Sequence, residues 1–237
     1  MAYLVAGRAT TVVAATVAAL VLAAPPALAA VSATTDGVDT VTITSNAAPD
    51  VMTMTCLVGQ ANVNDNLAVP AMSCGAVTFV EVAANKGEDT VDLGGVTQQS
   101  FPALDQTSID VKDSSADSVT GSEKRDVVHA DNADTVSTGV GNDWIEGAGT
   151  ASGGEGDDTF RQVSGAVQGG SGDDLIVTPG AGPLDGGSGS DTIVIDFSIF
   201  TSEVALGLAI TDASINGSIG TASVEAVSYT HLTLPTN

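Results

Sequence analysis

Aspartate residues recur at one fixed position of a nine-residue repeat in the middle of the chain. Three nonapeptides, at residues 153–161, 169–177 and 186–194, fit Gly-Gly-x-Gly-x-Asp-x-apolar-x at every fixed position. A fourth nonapeptide, at residues 138–146, has Thr138 in place of the first glycine. Because three matches in one phase are not an accident of composition, the repeat predicts a solenoid of stacked turns.

The residue types of the repeat point to the chemistry of a hard cation. Glycine allows positive φ and close approach of neighbouring backbones, so carbonyl groups can point into the space between stacked turns. The sixth-position aspartates add carboxylates to that space, and carbonyl plus carboxylate oxygen is the ligand set of Ca²⁺. The predicted metal ligands are Asp143, Gly153, Gly154, Glu155, Gly156, Asp158, Gly169, Gly170, Ser171, Gly172, Asp174, Gly186, Gly187, Ser188, Gly189 and Asp191. The alternative is a glycine-rich solenoid with solvated aspartates and no specific metal.

An apolar residue at the eighth position predicts a short strand after each aspartate. These residues, which we expect to face a narrow core, are Ile145, Phe160, Ile176 and Ile193. The whole pattern resembles the RTX (repeat-in-toxin) β-roll family. The resemblance implies an all-β fold, a parallel β-roll or β-solenoid, in which loops on successive coils share one Ca²⁺.

The spacing of the repeats departs from that family. Family repeats usually follow one another directly, whereas here the repeat starts lie 15, 16 and 17 residues apart. Each nonapeptide is followed by a filler, with glycines at Gly147 and Gly149, at Gly165, and at Gly180 and Gly182. We interpret each filler as the opposite half-turn, so residues 138–196 are predicted to bind calcium along one edge only, at about three inter-turn sites.

Residues 81–137 carry the repeat in a degenerate form. Residues 87–91 have the Gly-x-Asp-x-apolar core at Asp89, and residues 91–104 interrupt the pattern. Asp117, Asp126 and Asp134 then recur at near-nonapeptide spacing, but Lys124 and Asn132 stand where fourth-position glycines belong. We expect solenoid turns that stack without binding calcium well. The combination of DTVDLGGV (residues 89–96) and FPAL (residues 101–104), two upstream cysteines and the calcium repeats that follow is similar to secreted actinobacterial calcium-binding proteins.

Residues 30–80 are predicted to form a small N-terminal β module, because three segments alternate apolar and polar residues. The module contains Cys56 and Cys74, the two cysteines of the chain. An even pair in a secreted chain predicts a disulfide, with free thiols as the alternative. No pattern of Cys and His residues supports a zinc site.

The ends of the chain have their own signals. Residues 1–29 have a positive start at Arg8, an apolar run and an Ala-x-Ala cleavage pattern, which predict a secretory signal peptide and an extracellular protein. Residues 197–226 alternate weakly and predict flanking strands. Residues 227–237 (VSYTHLTLPTN) resemble a translated sequencing adapter, so they receive no functional role.

The composition narrows the class of function. The chain has 29 acidic and 6 basic residues and a net charge of −23, which argues against a nucleic-acid partner. After the signal peptide no segment is long and apolar enough to predict a membrane span. No catalytic motif is visible, and His129 is interpreted as an exposed turn residue. We therefore predict a non-enzymatic, secreted calcium-binding protein with a structural or adhesive role and an unidentified protein or surface partner.

Two other functions stay open at this stage. The chain could be a non-catalytic fragment of a larger secreted hydrolase or lyase whose catalytic domain is missing through truncation. It could also bind ice or polysaccharide, which would require a regular array of threonines or aromatic residues. Trp144 and Phe160 are the aromatic residues of the core repeats.

Overall fold

The structure is a computed structural model that describes residues 31–179 and 182–196 and the backbone of residues 221–225. The signal peptide, the predicted adapter sequence and residues 197–220 and 226 of the predicted flanking segment lie outside the described residues. Within the described part, the chain forms nineteen strands and one short 3₁₀ turn at Cys74–Ala76, and it contains no α-helix. The all-β prediction is confirmed. No helix in this part is long and apolar enough to cross a membrane.

The strands follow one another along the chain with short connections. They are β1 (Ser32–Thr35), β2 (Thr40–Thr44), β3 (Val51–Leu57), β4 (Gln60–Val63), β5 (Asn66–Leu67), β6 (Phe79–Ala83), β7 (Thr90–Asp92), β8 (Gln106–Asp110), β9 (Ser118–Thr120), β10 (Arg125–His129), β11 (Thr135–Val140), β12 (Trp144–Glu146), β13 (Thr150–Glu155), β14 (Thr159–Arg161), β15 (Val167–Ser171), β16 (Leu175–Thr178), β17 (Leu184–Ser188), β18 (Thr192–Asp196) and β19 (Thr221–Glu225).

Two parallel sheets run the length of the described structure. Sheet A has the order β1-β2-β6-β8-β10-β12-β14-β16-β18-β19, and sheet B has the order β17-β15-β13-β11-β9-β7-β3-β4-β5. From β6 to β18, successive strands alternate between the sheets, so each coil there contributes one strand to each sheet. This topology confirms the predicted parallel β-roll.

The register follows the repeat. Gly139 pairs with Gly154, Gly154 with Gly170, and Gly170 with Gly187. These offsets of 15, 16 and 17 residues are those between the nonapeptides, so one nonapeptide plus one filler makes one coil. The chain passes from sheet B to sheet A within the nonapeptides. We call the edge of the roll where these crossings lie the nonapeptide edge. It returns from sheet A to sheet B at the opposite edge.

The core lies between the sheets and is a single cluster. The eighth-position residues Ile145, Phe160 and Ile176 are fully buried in it, as predicted, and Ile193 packs against it partly buried. A filled core of this kind needs few aromatic residues, because each coil buries only one thin layer of side chains.

The N-terminal segment continues the same two sheets. Strand β2 pairs in parallel with β6, and β3 pairs in parallel with β7. Strand β6 runs across the module boundary predicted at residue 80, and the core cluster also extends across it. Antiparallel strands then cover the sheet ends: β1 beside β2, and β4 and β5 beyond β3. The predicted Cys56–Cys74 disulfide is present and ties β3 to the 3₁₀ turn.

Candidate metal site

The sixth-position aspartates form a ladder along the nonapeptide edge. In each step, the backbone N–H of one aspartate donates to Oδ1 of the aspartate one coil further on. The N···O distances are 2.8 Å from Asp126 to Asp143, 2.9 Å from Asp143 to Asp158, 2.8 Å from Asp158 to Asp174, and 3.0 Å from Asp174 to Asp191. The parallel register of the sheets therefore brings the predicted carboxylates into one row.

The second carboxylate oxygen in the middle of this row has no partner. The Oδ2 atoms of Asp143, Asp158 and Asp174 are buried and accept no hydrogen bond. A buried carboxylate oxygen without a donor costs free energy, more than a neutral group in the same position. These three atoms are therefore sites where a cation would supply the missing interaction.

First-position glycines leave room for those oxygens. A Cβ atom at Gly153 would overlap Oδ2 of Asp158, and a Cβ at Gly169 would overlap Oδ2 of Asp174. A Cβ at Gly186 would likewise overlap the carboxylate of Asp191. The glycines of the repeat thus keep open the space into which the carboxylates point.

Second- and fourth-position glycines bring the loops of successive coils into contact. Gly154 and Gly156 have φ of 119° and 127°, which L side chains rarely adopt. A Cβ at either position would overlap the carbonyl oxygen of Gly139 or Gly141 one coil earlier. The same stacking repeats at Gly170, Gly172, Gly187 and Gly189. Backbone carbonyls of adjacent loops therefore lie beside the aspartate row.

Third-position residues take part through their backbone. The carbonyl oxygens of Glu155, Ser171 and Ser188 accept the N–H of the fourth-position glycine one coil earlier, at 2.9, 2.7 and 2.9 Å. Their side chains are exposed. The structure thus places the side chain of Glu155 outside the row of buried carboxylates.

A second, exposed ladder runs beside the buried one. Oδ1 of Asn142 accepts the N–H of Asp157 at 3.1 Å, Asp157 accepts that of Asp173 at 2.8 Å, and Asp173 accepts that of Ser190 at 2.8 Å. Asp157 and Asp173 are exposed, which confirms the interpretation that the fifth-position acids face solvent. They nevertheless link the coils.

Burial makes the inner aspartates weaker acids than ordinary aspartates. Burial, together with the charges of neighbouring carboxylates, raises the pKa of Asp158 to about 7 and that of Asp174 to about 6. Burial also raises the pKa of Asp143. Charged oxygens of this kind are stabilised by a nearby cation, so the site favours either protonation or metal binding.

The N-terminal end of the ladder is closed by hydroxyl groups. Both oxygens of Asp126 are satisfied: Thr107 Oγ1 and Ser122 Oγ donate to Oδ1, the latter at 3.0 Å, and the Ser122 N–H donates to Oδ2 at 2.8 Å. Ser122 stands where the next coils have a glycine. Asp126 thus has no unpartnered oxygen, in contrast to Asp143, Asp158 and Asp174.

The aspartates of residues 81–137 lie on both edges of the roll. Asp126 belongs to the nonapeptide edge, whereas Asp89, Asp117 and Asp134 lie on the opposite edge. There they form a second ladder, with N···O distances of 2.7 Å from Asp50 to Asp89, 2.7 Å from Asp89 to Asp117, and 3.0 Å from Asp117 to Asp134. The near-nonapeptide spacing arises because each half-coil takes about nine residues, so successive aspartates alternate between edges.

Glycines replace the opposite ladder in the later coils. A Cβ at Gly165 would overlap the carbonyl oxygen of Gly149, and a Cβ at Gly182 would overlap the backbone of Gly165. Gly180, also predicted to close a filler, lies outside the described residues. In the described part of coils 138–196, the buried carboxylates therefore lie along the nonapeptide edge alone.

No three side chains of His, Cys, Asp or Glu converge as a metal-binding group in residues 31–179 and 182–196. Between successive nonapeptide loops, one hydrogen bond from a backbone N–H joins two aspartates, and the stacked glycines bring the backbone carbonyls of adjacent loops into contact with the next coil. A site of this type relies on main-chain oxygen, which suits a hard cation with six to eight oxygen ligands.

The outer faces of the sheets carry different chemistry. On sheet B, Thr90, Ser118, Thr135 and Thr150 lie side by side on neighbouring strands and are exposed. A parallel row, two residues further along each strand, contains Thr120, Ser137 and Ser152. Sequence reasoning missed these rows, because the residues are far apart in the chain and become neighbours only through the register.

Sheet A has charged and aromatic contacts instead. The guanidinium carbon of Arg161 lies 5.1 Å from the ring centroid of Trp144. His129 lies at the end of β10 with Nδ1 3.3 Å from a carboxylate oxygen of Glu146. The interpretation of His129 as a turn residue was wrong, because its strand extends one residue beyond the apolar pair.

No protein-family model, curated protein or solved structure matches this chain.

Proposed function

We propose that this chain is a secreted calcium-binding repeat protein whose β-roll is stabilised by extracellular Ca²⁺, with a structural or adhesive role. The observation that carries the proposal is the row of buried Oδ2 atoms on Asp143, Asp158 and Asp174 that have no hydrogen-bond partner. The resemblance of the nonapeptides to RTX repeats supports the same ion.

Three inter-loop spaces are the proposed sites. They lie between the loops at residues 138–143 and 153–158, 153–158 and 169–174, and 169–174 and 186–191. In each, the two sixth-position aspartates would hold the ion together with carbonyl oxygens of the glycine-containing loops. The ion would supply positive charge to a row of carboxylates with which no lysine or arginine of the described residues forms an ion pair.

The chemistry of the ligands favours calcium over a transition metal. The proposed ligands are all oxygen atoms, and neither sulfur nor imidazole lies in the loops. Magnesium demands a near-octahedral set of ligands at short distances and keeps several waters, whereas calcium tolerates irregular sets with many carbonyls. The sites are therefore expected to prefer Ca²⁺ to Mg²⁺.

Extracellular calcium also suits the charge of the protein. A net charge of −23 repels itself when the chain compacts, and bound divalent cations relieve that repulsion. Extracellular modules bind Ca²⁺ with Kd of about 10⁻⁴–10⁻³ M. Sites of that affinity would leave the repeats loosely folded during export and stabilise them outside the cell, because binding free energy adds to folding free energy.

Thermal unfolding of a matched pair of variants tests the proposal. Asp174→Asn keeps an acceptor for the Asp158 N–H but removes a buried charge, whereas Asp173→Asn removes an exposed charge one residue away. We expect calcium to raise the melting temperature of the wild type and of Asp173→Asn, and magnesium to raise it less. Asp174→Asn should lose much of the calcium effect, and an equal melting temperature for all three proteins in calcium would contradict the proposal.

A second candidate function is an adhesive face on sheet B. The two hydroxyl rows repeat at the strand spacing of about 4.8 Å and the two-residue spacing of about 7 Å, which gives a regular array of donors and acceptors. Such an array could contact ordered water or a polysaccharide. Replacing Thr135 by lysine should abolish retention on a polysaccharide or ice column if this face is the adhesive surface, and unchanged retention would exclude it.

A further inference from the structure

The outer face of sheet A carries exposed arginines in a strongly acidic chain. The net charge is −23, and both arginines of the described residues, Arg125 and Arg161, are exposed on this face. Each points outward, because its strand neighbour, Asp126 or Phe160, is buried in the roll. We call the outward side chains of β10, β12 and β14 the arginine face; they are Arg125, Val127, His129, Trp144, Glu146, Thr159 and Arg161.

The strand register places these side chains beside one another. Arg125 lies at the start of β10 and pairs with Gln106 on β8, whose Oε1 is 3.4 Å from the arginine Nη1. His129, at the end of β10, pairs with Glu146 and has Nδ1 3.3 Å from its carboxylate. Glu146 pairs in turn with Arg161 on β14. Three successive coils therefore supply one continuous surface.

Arg161 contacts an aromatic ring rather than a carboxylate. Glu146 is its direct neighbour in the register, but no ion pair joins either arginine to a carboxylate of the described residues. The guanidinium carbon of Arg161 lies 5.1 Å from the ring centroid of Trp144. Such a contact holds a guanidinium group in place, and its N–H donors match the geometry of a carboxylate. The face thus presents a positioned cation that has no anionic partner in the described part of the chain.

The separation of the two arginines favours a ligand with more than one negative charge. Their Cα atoms are two strand spacings and four residues apart, which corresponds to about 16 Å. Arg125 is directed towards Gln106 on β8, away from β14, whereas Arg161 is held at Trp144. A small anion therefore reaches one guanidinium group, and a polymer with carboxylates at intervals reaches both.

The size of the face favours a linear chain over a folded protein. Two strand spacings by four residues is about 10 Å by 13 Å, on the order of 130 Å². A stable protein–protein interface buries about 800 Å² on each partner. A single polymer strand lying across β10, β12 and β14 needs no larger area than the face provides.

Acidic side chains on and beside the same face select among linear anions. Asp110 and Glu146 flank His129 on the two neighbouring strands. Together with the net charge of −23, they repel a dense polyanion such as a nucleic acid. Carboxylate oxygens and the hydroxyl group of Thr159, which lies beside Trp144, are instead suitable partners for sugar hydroxyl groups.

We propose that the arginine face binds a carboxylate-bearing polysaccharide, a polymer of uronic acids. Arg125 and Arg161 bind carboxylates of different sugars, and Trp144 positions Arg161. Glu146 and Thr159 accept or donate hydrogen bonds to hydroxyl groups. The face shares no residue with the proposed calcium sites or with the hydroxyl rows of sheet B, so this binding is a separate activity.

Isothermal titration calorimetry of the full chain with a short oligogalacturonate tests the face, in calcium and in chelator. Arg161→Gln and Lys86→Gln are the matched variants, because each removes one exposed positive charge, from the face and from the loop after β6. We expect Arg161→Gln to weaken binding about tenfold, as for the loss of a hydrogen-bonded ion pair, and Lys86→Gln to change it little. The methyl ester of the same oligosaccharide, which keeps its hydroxyl groups and loses its charges, should not bind.

Several results would overturn the proposal. The first is no binding to a wild-type protein whose circular dichroism spectrum shows that it is folded. Equal losses in Arg161→Gln and Lys86→Gln would show that net charge, and not the arginine face, sets the affinity. Equal binding of the methyl ester would exclude recognition of carboxylates, and tighter binding of oligoglutamate or single-stranded DNA would assign the face to another class of anion.

The same experiment separates this inference from the proposed function. Oligogalacturonate binding that depends on Arg161, in a protein whose melting temperature calcium does not change, would support the arginine face and contradict the calcium sites. Calcium stabilisation without oligogalacturonate binding would do the opposite.

Discussion

Replacing Asp158 by asparagine should remove calcium stabilisation from two adjacent sites at once. Asp158 stands in the middle of the nonapeptide ladder: its N–H donates to Asp174 and its Oδ1 accepts from Asp143. It therefore belongs to the inter-loop spaces on both sides. Asp191, at the end of the ladder, belongs to only one of the three proposed spaces.

The expected size of the effect follows from mass action. A site with Kd of about 10⁻³ M contributes about 1.4 kcal/mol at 10 mM free Ca²⁺, and one with Kd of about 10⁻⁴ M contributes about 2.7 kcal/mol. Loss of two sites in Asp158→Asn then costs about 3–5 kcal/mol, against about 1.4–2.7 kcal/mol for Asp191→Asn. For a domain of this size, each kcal/mol corresponds to about 2–4 °C in melting temperature.

The assay is thermal unfolding, followed by circular dichroism, in 10 mM calcium and in chelator. In chelator, Asp158→Asn keeps the acceptor for the Asp143 N–H and neutralises a buried charge, so its stability should equal or exceed that of the wild type. In calcium, its loss should be about twice that of Asp191→Asn. A loss of the same size in calcium and in chelator would refute the assignment of Asp158 as a metal ligand.

Three further predictions concern pH, the disulfide and the core. Because the folded-state pKa values of Asp158 and Asp174, about 7 and about 6, lie above the ordinary 3.8, their contribution to stability is present at low pH and is lost as pH rises through that range. The melting temperature in chelator should therefore fall between about pH 4 and about pH 7, and saturating calcium should flatten or reverse the trend. Replacing Cys56 and Cys74 by alanine should cost about 3 kcal/mol in urea unfolding, equally with calcium and with chelator, because the disulfide closes an 18-residue separation far from the nonapeptides. If the cost of removing the disulfide depended on calcium, the disulfide and the nonapeptide edge would not be independent, and this prediction would be wrong. Phe160→Ala should cost about 3–5 kcal/mol under both conditions, because the side chain is fully buried in the core, and a cost near zero would contradict its placement.

The central coils could be predicted from the sequence because their register is set by a fixed pattern. Gly139, Gly154, Gly170 and Gly187 occupy equivalent positions of the nonapeptide, and the structure pairs them directly. Only glycine fits where one loop touches the carbonyl of the next. Local chemistry and long-range register therefore carry the same information.

The edge on which each aspartate of residues 81–137 lies could not be predicted from the sequence. Asp117, Asp126 and Asp134 follow one another at about the same interval, but that interval is also the length of half a coil. Spacing alone does not say whether successive aspartates lie on one edge or alternate between two. The glycines that distinguish the edges in the later coils are missing here, so only the strand pairing resolves the assignment.

The hydrogen-bond partners of individual carboxylates could not be predicted from the sequence either. Thr107 and Ser122 satisfy Asp126, although Thr107 lies 19 residues away on the preceding coil of sheet A. Oδ2 of Asp113 is buried without a hydrogen-bond partner, and no repeat position marks this aspartate. Whether an aspartate is a candidate metal ligand depends on these local donors, and the repeat pattern does not encode them.

A calcium titration of the protein followed by far-UV circular dichroism and thermal unfolding tests the central claim most directly, with magnesium as the comparison ion. The account predicts a saturable, calcium-specific rise in β signal or melting temperature at sub-millimolar to millimolar concentration. A folded spectrum and a melting temperature that neither ion changes would contradict it, and would identify the protein as a metal-independent solenoid.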